Sequence, residues 1–241
     1  MTDILPSKAL VTGATSGIGR AVALKLAADG FEVIVHGRDA ERGARTVKEI
    51  EQSGGQARFL PADLGNPGEI RRLAEQAGDI DVLINNAGFS AWGPTADLDI
   101  ATFDDMFAAN VRAPFYLVAA FAPGMAARGK GSIINISSMA GRLGLPGSAA
   151  CGATKAALVS LTQAWTAEFS PRGVRVNAVA SGPVYTRPAA RKLFETLGAT
   201  TPLNRAAEPA EIAEVVAFLA SPRASHVTGA IVAVDAPRSD G

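Results

Sequence analysis

A hydroxyl, a thiol and an ammonium fall close together at Ser138, Cys151 and Lys155. Cys151 and Lys155 stand four residues apart in a helix-period stretch, so they share one helix face. A thiol beside an ammonium and near a helix start is more acidic than the reference value of ~8.5, and its thiolate is reactive. The competing account is a small buried hydrophobe, the commoner use of a lone cysteine. Ser138 closes the apolar run Ile134-Asn135-Ile136-Ser137-Ser138, where its hydroxyl could simply cap a strand end.

Anion binding is the second chemistry on offer. Thr12-Gly13-Ala14-Thr15-Ser16-Gly17-Ile18-Gly19 lies between an apolar run and a helix-period segment. Glycines there let the backbone turn sharply and approach a pyrophosphate, and the N–H groups and dipole of the helix start favour that anion. No acidic residue occurs at 36–38 to accept hydrogen bonds from a ribose 2′-OH; Arg38 offers a cationic fork suited to a 2′-phosphate. This favours NADP(H) over NAD(H), against the plainer account of a solvated arginine opening a helix.

Short apolar runs alternating with longer helix-period segments must position these groups. Strands are expected near Ala9–Val11, Glu32–His36, Ala57–Leu60, Asp81–Asn85, Ser132–Ser137, Arg175–Ala180 and Ala230–Val234. Helices are expected near Ile18–Ala28, Asp39–Ser53, Pro67–Ala77, Thr102–Arg128, Cys151–Phe169 and Pro209–Ala220. Right-handed crossovers then give an α/β fold, a Rossmann-type doubly wound, seven-stranded parallel sheet with helices on both faces. No linker or composition break divides residues 1–241, so one domain is expected. Its least regular part, Ser181–Ala207, follows the sixth strand and reads as a substrate lid.

Thr12-Gly-x-x-x-Gly-x-Gly19, Asp63-Leu64, Asn85-Asn86-Ala87-Gly88, Asn110, Ser138 and a position four before Lys155 occur in the order found in the short-chain dehydrogenase/reductase family, which the whole chain resembles. The flavour is that of 3-oxoacyl-carrier-protein reductases and related ketoreductases. The resemblance implies hydride transfer between NADP(H) and a ketone or secondary alcohol. It implies nucleotide contacts at Gly13, Thr15, Ser16, Gly17, Ile18, Gly19, Arg38, Asp63, Leu64, Asn86, Ala87, Gly88, Lys155, Val184 and Thr186. It assigns Ser138 to polarise the substrate oxygen, Lys155 to acidify the proton donor and hold the nicotinamide ribose, and Asn110 to anchor a relay water. The donor itself, a tyrosine in the family, is replaced by Cys151.

A thiol reaches one bond beyond Cβ and a phenol several ångströms farther, while proton transfer needs heavy atoms within ~2.6–3.2 Å or one bridging water. Acidity is adequate and reach is not, so impaired or altered proton transfer is expected, with a catalytically silent nucleotide-binding protein (a sensor or structural partner) as the alternative. Ser181-Gly182-Pro183 and Asp235-Ala236-Pro237 also depart from the family's Pro-Gly and Asp-Gly-Gly. The three departures fit either a chain drifting from its ancestral reaction or a deliberately altered one. Phe89, Trp92, Leu143, Leu145 and Tyr185 are candidates for lining an apolar substrate pocket. A carrier-protein-linked substrate would need cations at the rim, for which Arg128, Lys130 and Arg172 are candidates. The family also implies a homotetramer or homodimer through the helices Thr102–Arg128 and Cys151–Phe169, although Ala157, Leu158, Leu161, Ala164 and Trp165 equally suit a core stripe.

Equal counts of 23 basic and 23 acidic residues argue against nucleic acid or an anionic membrane as partner. No signal segment or ~20-residue apolar span is visible, so a soluble, cytoplasmic chain is expected. His36 and His226 lack metal-ligand spacing, and no Gly-x-Ser-x-Gly elbow supports hydrolase chemistry.

Overall fold

In the computed structural model, residues 7–186 and 188–236 are described; Pro237, one of the expected departures, lies outside them. Seven parallel strands form one sheet in the order β3-β2-β1-β4-β5-β6-β7: β1 Lys8–Val11, β2 Glu32–Gly37, β3 Gln56–Pro61, β4 Val82–Asn85, β5 Gly131–Ser138, β6 Val174–Ser181 and β7 Ile231–Val234. Side-chain alternation divides each strand between two cores. Ala9, Val11, Val33, Val35 and Ile84 face α1 (Gly17–Ala28), α2 (Ala40–Gln52) and α8 (Pro209–Ala220). Leu10, Ile34, Leu83 and Ile133 face α3 (Pro67–Ala77), α5 (Ala113–Ala127) and α6 (Ala149–Phe169). Burying both faces explains why these strands are continuous apolar runs. The strand order reverses between β1 and β4, and the crevice beyond their carboxyl ends is where such sheets take ligands.

Two expectations need correction. The helix expected over Thr102–Arg128 is broken: α4 (Ile100–Phe107), capped by the Asp99 carboxylate, runs into a π-turn at Ala108–Arg112 before α5 begins. Pro114 supplies a physical reason, because it has no N–H to give the Asn110 carbonyl four residues back. Ser181–Ala207 is also more ordered than expected. It contains α7 (Arg191–Gly198), and its ends are tied by Tyr185 N–H to Ala207 O (3.0 Å) and Ala207 N–H to Pro183 O (2.9 Å).

Candidate active site

The nucleotide half of the crevice is built around the turn after β1. Thr12 Oγ1 donates to Ile84 O (3.0 Å) and accepts the N–H groups of Asn86 (2.9 Å) and Ala87 (3.0 Å). Asn86 Nδ2 donates back to Thr12 O (2.8 Å), so the ends of β1 and β4 are stitched together across the switch point. Asn86 is thus spent on shaping the turn. The structure adds a residue that sequence reasoning considered only as a missing acid and as a histidine without metal-ligand spacing. Buried His36 accepts the Gly13 N–H at Nδ1 (3.2 Å) and donates from Nε2 to Ala62 O (3.1 Å). Those two bonds require the neutral tautomer, and burial pushes its pKa down to about 4. A histidine inside the run Val33-Ile34-Val35-His36 was the available signal.

Three observations fit this turn to a phosphorylated nucleotide. Helices α2, α3 and α4 have their first N–H groups capped by Asp39, Asn66 and Asp99, whereas α1 has no side-chain cap and no acid in its first turn. Its orphan donors are therefore free for an anion. A Cβ on Gly19 would run into Asn86 Nδ2 and the Gly13 carbonyl, so only glycine allows this closeness. Gly17, at φ +52°, lies beneath Thr186, whose Cβ is 3.2 Å from where a Gly17 Cβ would sit. Thr15 packs against Gly37, Ser16 precedes α1 with its hydroxyl free of any capping bond, and Ile18 leans on the core.

Arg38 is exposed at the end of β2 and forms no ion pair among the described residues, while neighbouring Asp39 is held by Arg42 (2.7 Å). Asp63 accepts the Gly65 N–H (3.0 Å) and is otherwise open to solvent. Leu64 buries its side chain in the core, leaving only backbone for a ligand. Val184 likewise buries its side chain while bridging to Ala207.

The chemical half lies beyond β4, β5 and β6. Ser138 ends β5 and accepts the Ala140 N–H (3.2 Å), the capping role foreseen, yet its own O–H remains free to donate. Lys155 Nζ donates to Ile136 O (2.9 Å); burial holds its pKa below the usual lysine range, with the Cys151 sulfur pulling the other way. Asn110 is fully engaged: Oδ1 accepts the Phe89 N–H (3.1 Å), and Nδ2 donates to Phe89 O (2.9 Å) and Thr154 Oγ1 (3.0 Å). Thr154 Oγ1 in turn donates to Cys151 O (2.7 Å). The Asn110 amide therefore fastens the loop after Gly88 to α6. Gly88 is needed for the same contact, since a Cβ there would overlap Asn110 Oδ1. Cys151 is only 2% exposed, with Sγ 3.2 Å from the hydroxyl of Ser90, a residue absent from the sequence-derived set.

Some expected positions fall elsewhere. Arg128 and Lys130 precede β5 and Arg172 precedes β6, so all three sit at the amino edge of the sheet, opposite the crevice. Arg128 and Lys130 are paired with Asp79 (2.8 Å) and Asp81 (3.1 Å), and Arg172 stacks on Phe169. They cannot form a rim. Ser181 lies in the β6 ladder opposite Ser138 and Val234, donating to Ser137 O (3.4 Å). Leu158 and Trp165 point into the core. Phe89, Trp92 and Leu143 are exposed, and Tyr185 packs between Arg191 and the edge of Phe194 on α7. Among the described residues, no helix is long and apolar enough to cross a membrane.

A family profile described as enoyl-(acyl carrier protein) reductase matches residues 13–236. The 3-oxoacyl-(acyl-carrier-protein) reductase FabG of Staphylococcus aureus is 35% identical over 239 residues, covering 96% of this chain and 97% of its own. A solved short chain dehydrogenase/reductase family protein superposes with a TM-score of 0.91 at 50% identity, covering 95% and 96% of the two chains. An actinorhodin polyketide ketoreductase solved with NADPH gives 0.91 at 34% identity, with 98% of each chain covered. Crevice, fold and likeness over nearly the full length agree: the chain belongs to the short-chain dehydrogenase/reductase family of oxidoreductases.

Proposed function

We propose that this chain is an NADP(H)-dependent reductase of ketones, or dehydrogenase of the corresponding secondary alcohols, whose proton-transfer step is altered by Cys151. The observation that carries the reading is the convergence at one sheet edge of an uncapped, glycine-lined helix start and the group Ser138, Cys151 and Lys155. The relatives solved or named as ketoreductases support it. Bound NADPH supplies a hydride at the nicotinamide. The α1 N–H groups hold its pyrophosphate, Arg38 its 2′-phosphate, and Asp63, Ala87 and Gly88 border the adenosine. Thr186 and Val184 close the loop over Gly17. Ser138 donates its free O–H to the substrate oxygen, and Lys155 provides positive charge beneath the ribose and beside the sulfur.

Phe89, Trp92, Leu143, Leu145 and Tyr185 favour an apolar or aromatic ketone, and residues 181–207 act as its lid. A carrier-linked 3-oxoacyl substrate, the one named for the Staphylococcus relative, is the other class; it has lost the support of Arg128, Lys130 and Arg172. We also assign a homodimer or homotetramer to the exposed apolar side chains of α4 and α5, Ile100, Phe103, Phe115 and Tyr116.

The test is NADPH oxidation over a ketone panel by this chain beside its Cys151→Tyr form. Loss of a positioned general acid costs ~10²–10⁴-fold in rate, so the tyrosine form is expected to be faster by that order with unchanged NADPH affinity. Comparable rates refute the altered step. The buried sulfur favours the second reading, a nucleotide-binding protein without turnover; tight NADPH binding with no oxidation in either form would establish it.

A further inference from the structure

Cys151 is shorter than the phenol that the family resemblance implies at its position, and the side chain its sulfur touches is that of Ser90. The residue is only 2% exposed, so its sulfur does not meet a substrate oxygen directly. The hydroxyl it touches at 3.2 Å, Ser90 Oγ, belongs to an exposed residue. Contact is enforced from both sides: Asn110 grips Phe89 by N–H and C=O, and through Thr154 it is joined to the Cys151 carbonyl. The loop that carries Ser90 is therefore tied to the same turn of α6 that carries the thiol. Among the described residues Ser90 makes no other side-chain hydrogen bond, which leaves the oxygen free to exchange partners.

We propose that Ser90 is a catalytic residue that passes the proton between Cys151 and the substrate oxygen, a two-group replacement for one phenol. This rests on the reductase reading above. As hydride from the reduced nicotinamide nucleotide forms the new C–H bond, the carbonyl π pair moves onto oxygen. That oxygen takes the Ser90 Oγ–H proton while Ser90 Oγ takes the proton of Cys151 Sγ–H. The products are the alcohol, the oxidised nucleotide and a thiolate facing Lys155, which regains its proton from water. Because Ser90 Oγ gives one proton as it takes another, the serine never carries a full charge, and the acid consumed overall is the thiol. A hydroxyl restores the reach that the thiol lacks, within the ~2.6–3.2 Å that transfer demands for oxygen and slightly beyond it for sulfur.

Ser90→Val and Ser90→Thr, each in this chain and in the Cys151→Tyr form, test the relay. Ser90→Val is expected to lower kcat of the Cys151 chain about tenfold or more, with KM nearly unchanged, and Ser90→Thr to restore it. In the Cys151→Tyr form, where the phenol reaches the substrate itself, Ser90→Val is expected to change kcat by less than about threefold. Equal losses in both backgrounds would show an ordinary substrate contact and overturn the relay, as would no loss in either. Because Cys151 is the only cysteine, thiolate absorbance titrates it alone. Without the Ser90 O–H to stabilise the thiolate, Ser90→Val should titrate at higher pH than Ser90→Thr, and coincident titrations overturn the contact. If the Cys151 chain never turns over, the relay is wrong; activity of the Cys151→Tyr form then shows whether the reductase reading survives without it.

Discussion

Acidification should destabilise this protein through His36 before its carboxylates matter. In the folded chain His36 is locked neutral, with Gly13 N–H on one nitrogen and Ala62 O on the other, and its pKa is about 4. Unfolded, it returns to ~6.5. Because the folded value is the lower one, the unfolded chain takes up the proton first. The stability is fully present above pH ~6.5 and is lost as pH falls toward about 4. The linkage amounts to about 2 kcal/mol at pH 5 and approaches about 3.4 kcal/mol once both states are protonated, at ~1.36 kcal/mol per pKa unit. Denaturant melts at about pH 8 and about pH 5 measure it, with His36→Phe as reference. That variant leaves the Gly13 N–H and the Ala62 carbonyl unpaired, costing about 1–3 kcal/mol at neutral pH, but has nothing to titrate there. The stability gap between the two proteins is therefore expected to close by about 2 kcal/mol on acidification. Asp39, Asp99 and Glu211, whose carboxyls are held low by Arg42 and Thr102 backbone N–H bonds and by the Arg205 side chain, lose their contributions at lower pH. They do so equally in both proteins. A gap that stays constant between the two pH values refutes the reasoning.

Arg38→Asp would remove the charge-assisted phosphate contact proposed for this residue, about 1.5–3 kcal/mol, so NADPH affinity measured by fluorescence titration should fall roughly 10- to 150-fold while NADH affinity holds or improves. Gly19→Ala drives a methyl group into the Asn86 amide and the Gly13 carbonyl; NADPH Kd is expected to rise at least about 10²-fold, and an unchanged Kd would contradict the cradle. Ala236 holds φ +42°, a left-handed backbone that costs a non-glycine residue about 1–2 kcal/mol, so Ala236→Gly should raise thermal stability by about 2–8 °C.

The sheet and both nucleotide turns were legible because a parallel strand buried on two faces leaves an unbroken apolar run, and because glycine spacing records where a backbone must approach a ligand. Pro67–Ala77 and Pro209–Ala220 were readable to the residue, since a proline opens each helix where its missing N–H is harmless. The break at Asn110 was written in Pro114 but masked by strong helical periodicity on either side. The His36 bridge and the Ser90–Cys151 contact join residues 23 and 61 positions apart; a histidine in an apolar strand was the one local sign of the first, and the second leaves no local pattern to read. The supposed rim cations failed for a topological reason: residues that precede a parallel strand lie at the edge opposite those that follow one.

The departures that the family resemblance implies are not scattered. Ser181 pairs with Ser138 in the ladder, Val234 pairs with Ser181, and Ala236 follows two residues later. With Cys151 they all fall on the β5–β6–β7 side of the crevice. On the β1–β2–β4 side, the Thr12–Asn86 stitch, the uncapped helix start and the exposed Arg38 keep every feature that nucleotide binding needs. Rigid coupling within each half, with the switch point between them, lets the reacting half change while the holding half stays intact. Substitutions on the two sides should therefore separate cleanly: those near Gly19 or Arg38 should act on nucleotide Kd, and those at Ser90, Cys151 or Ser181 on the rate at saturating nucleotide. Additive energies for a Gly19→Ala, Cys151→Tyr pair would agree with this division, and coupling above about 0.5 kcal/mol would show that the halves communicate.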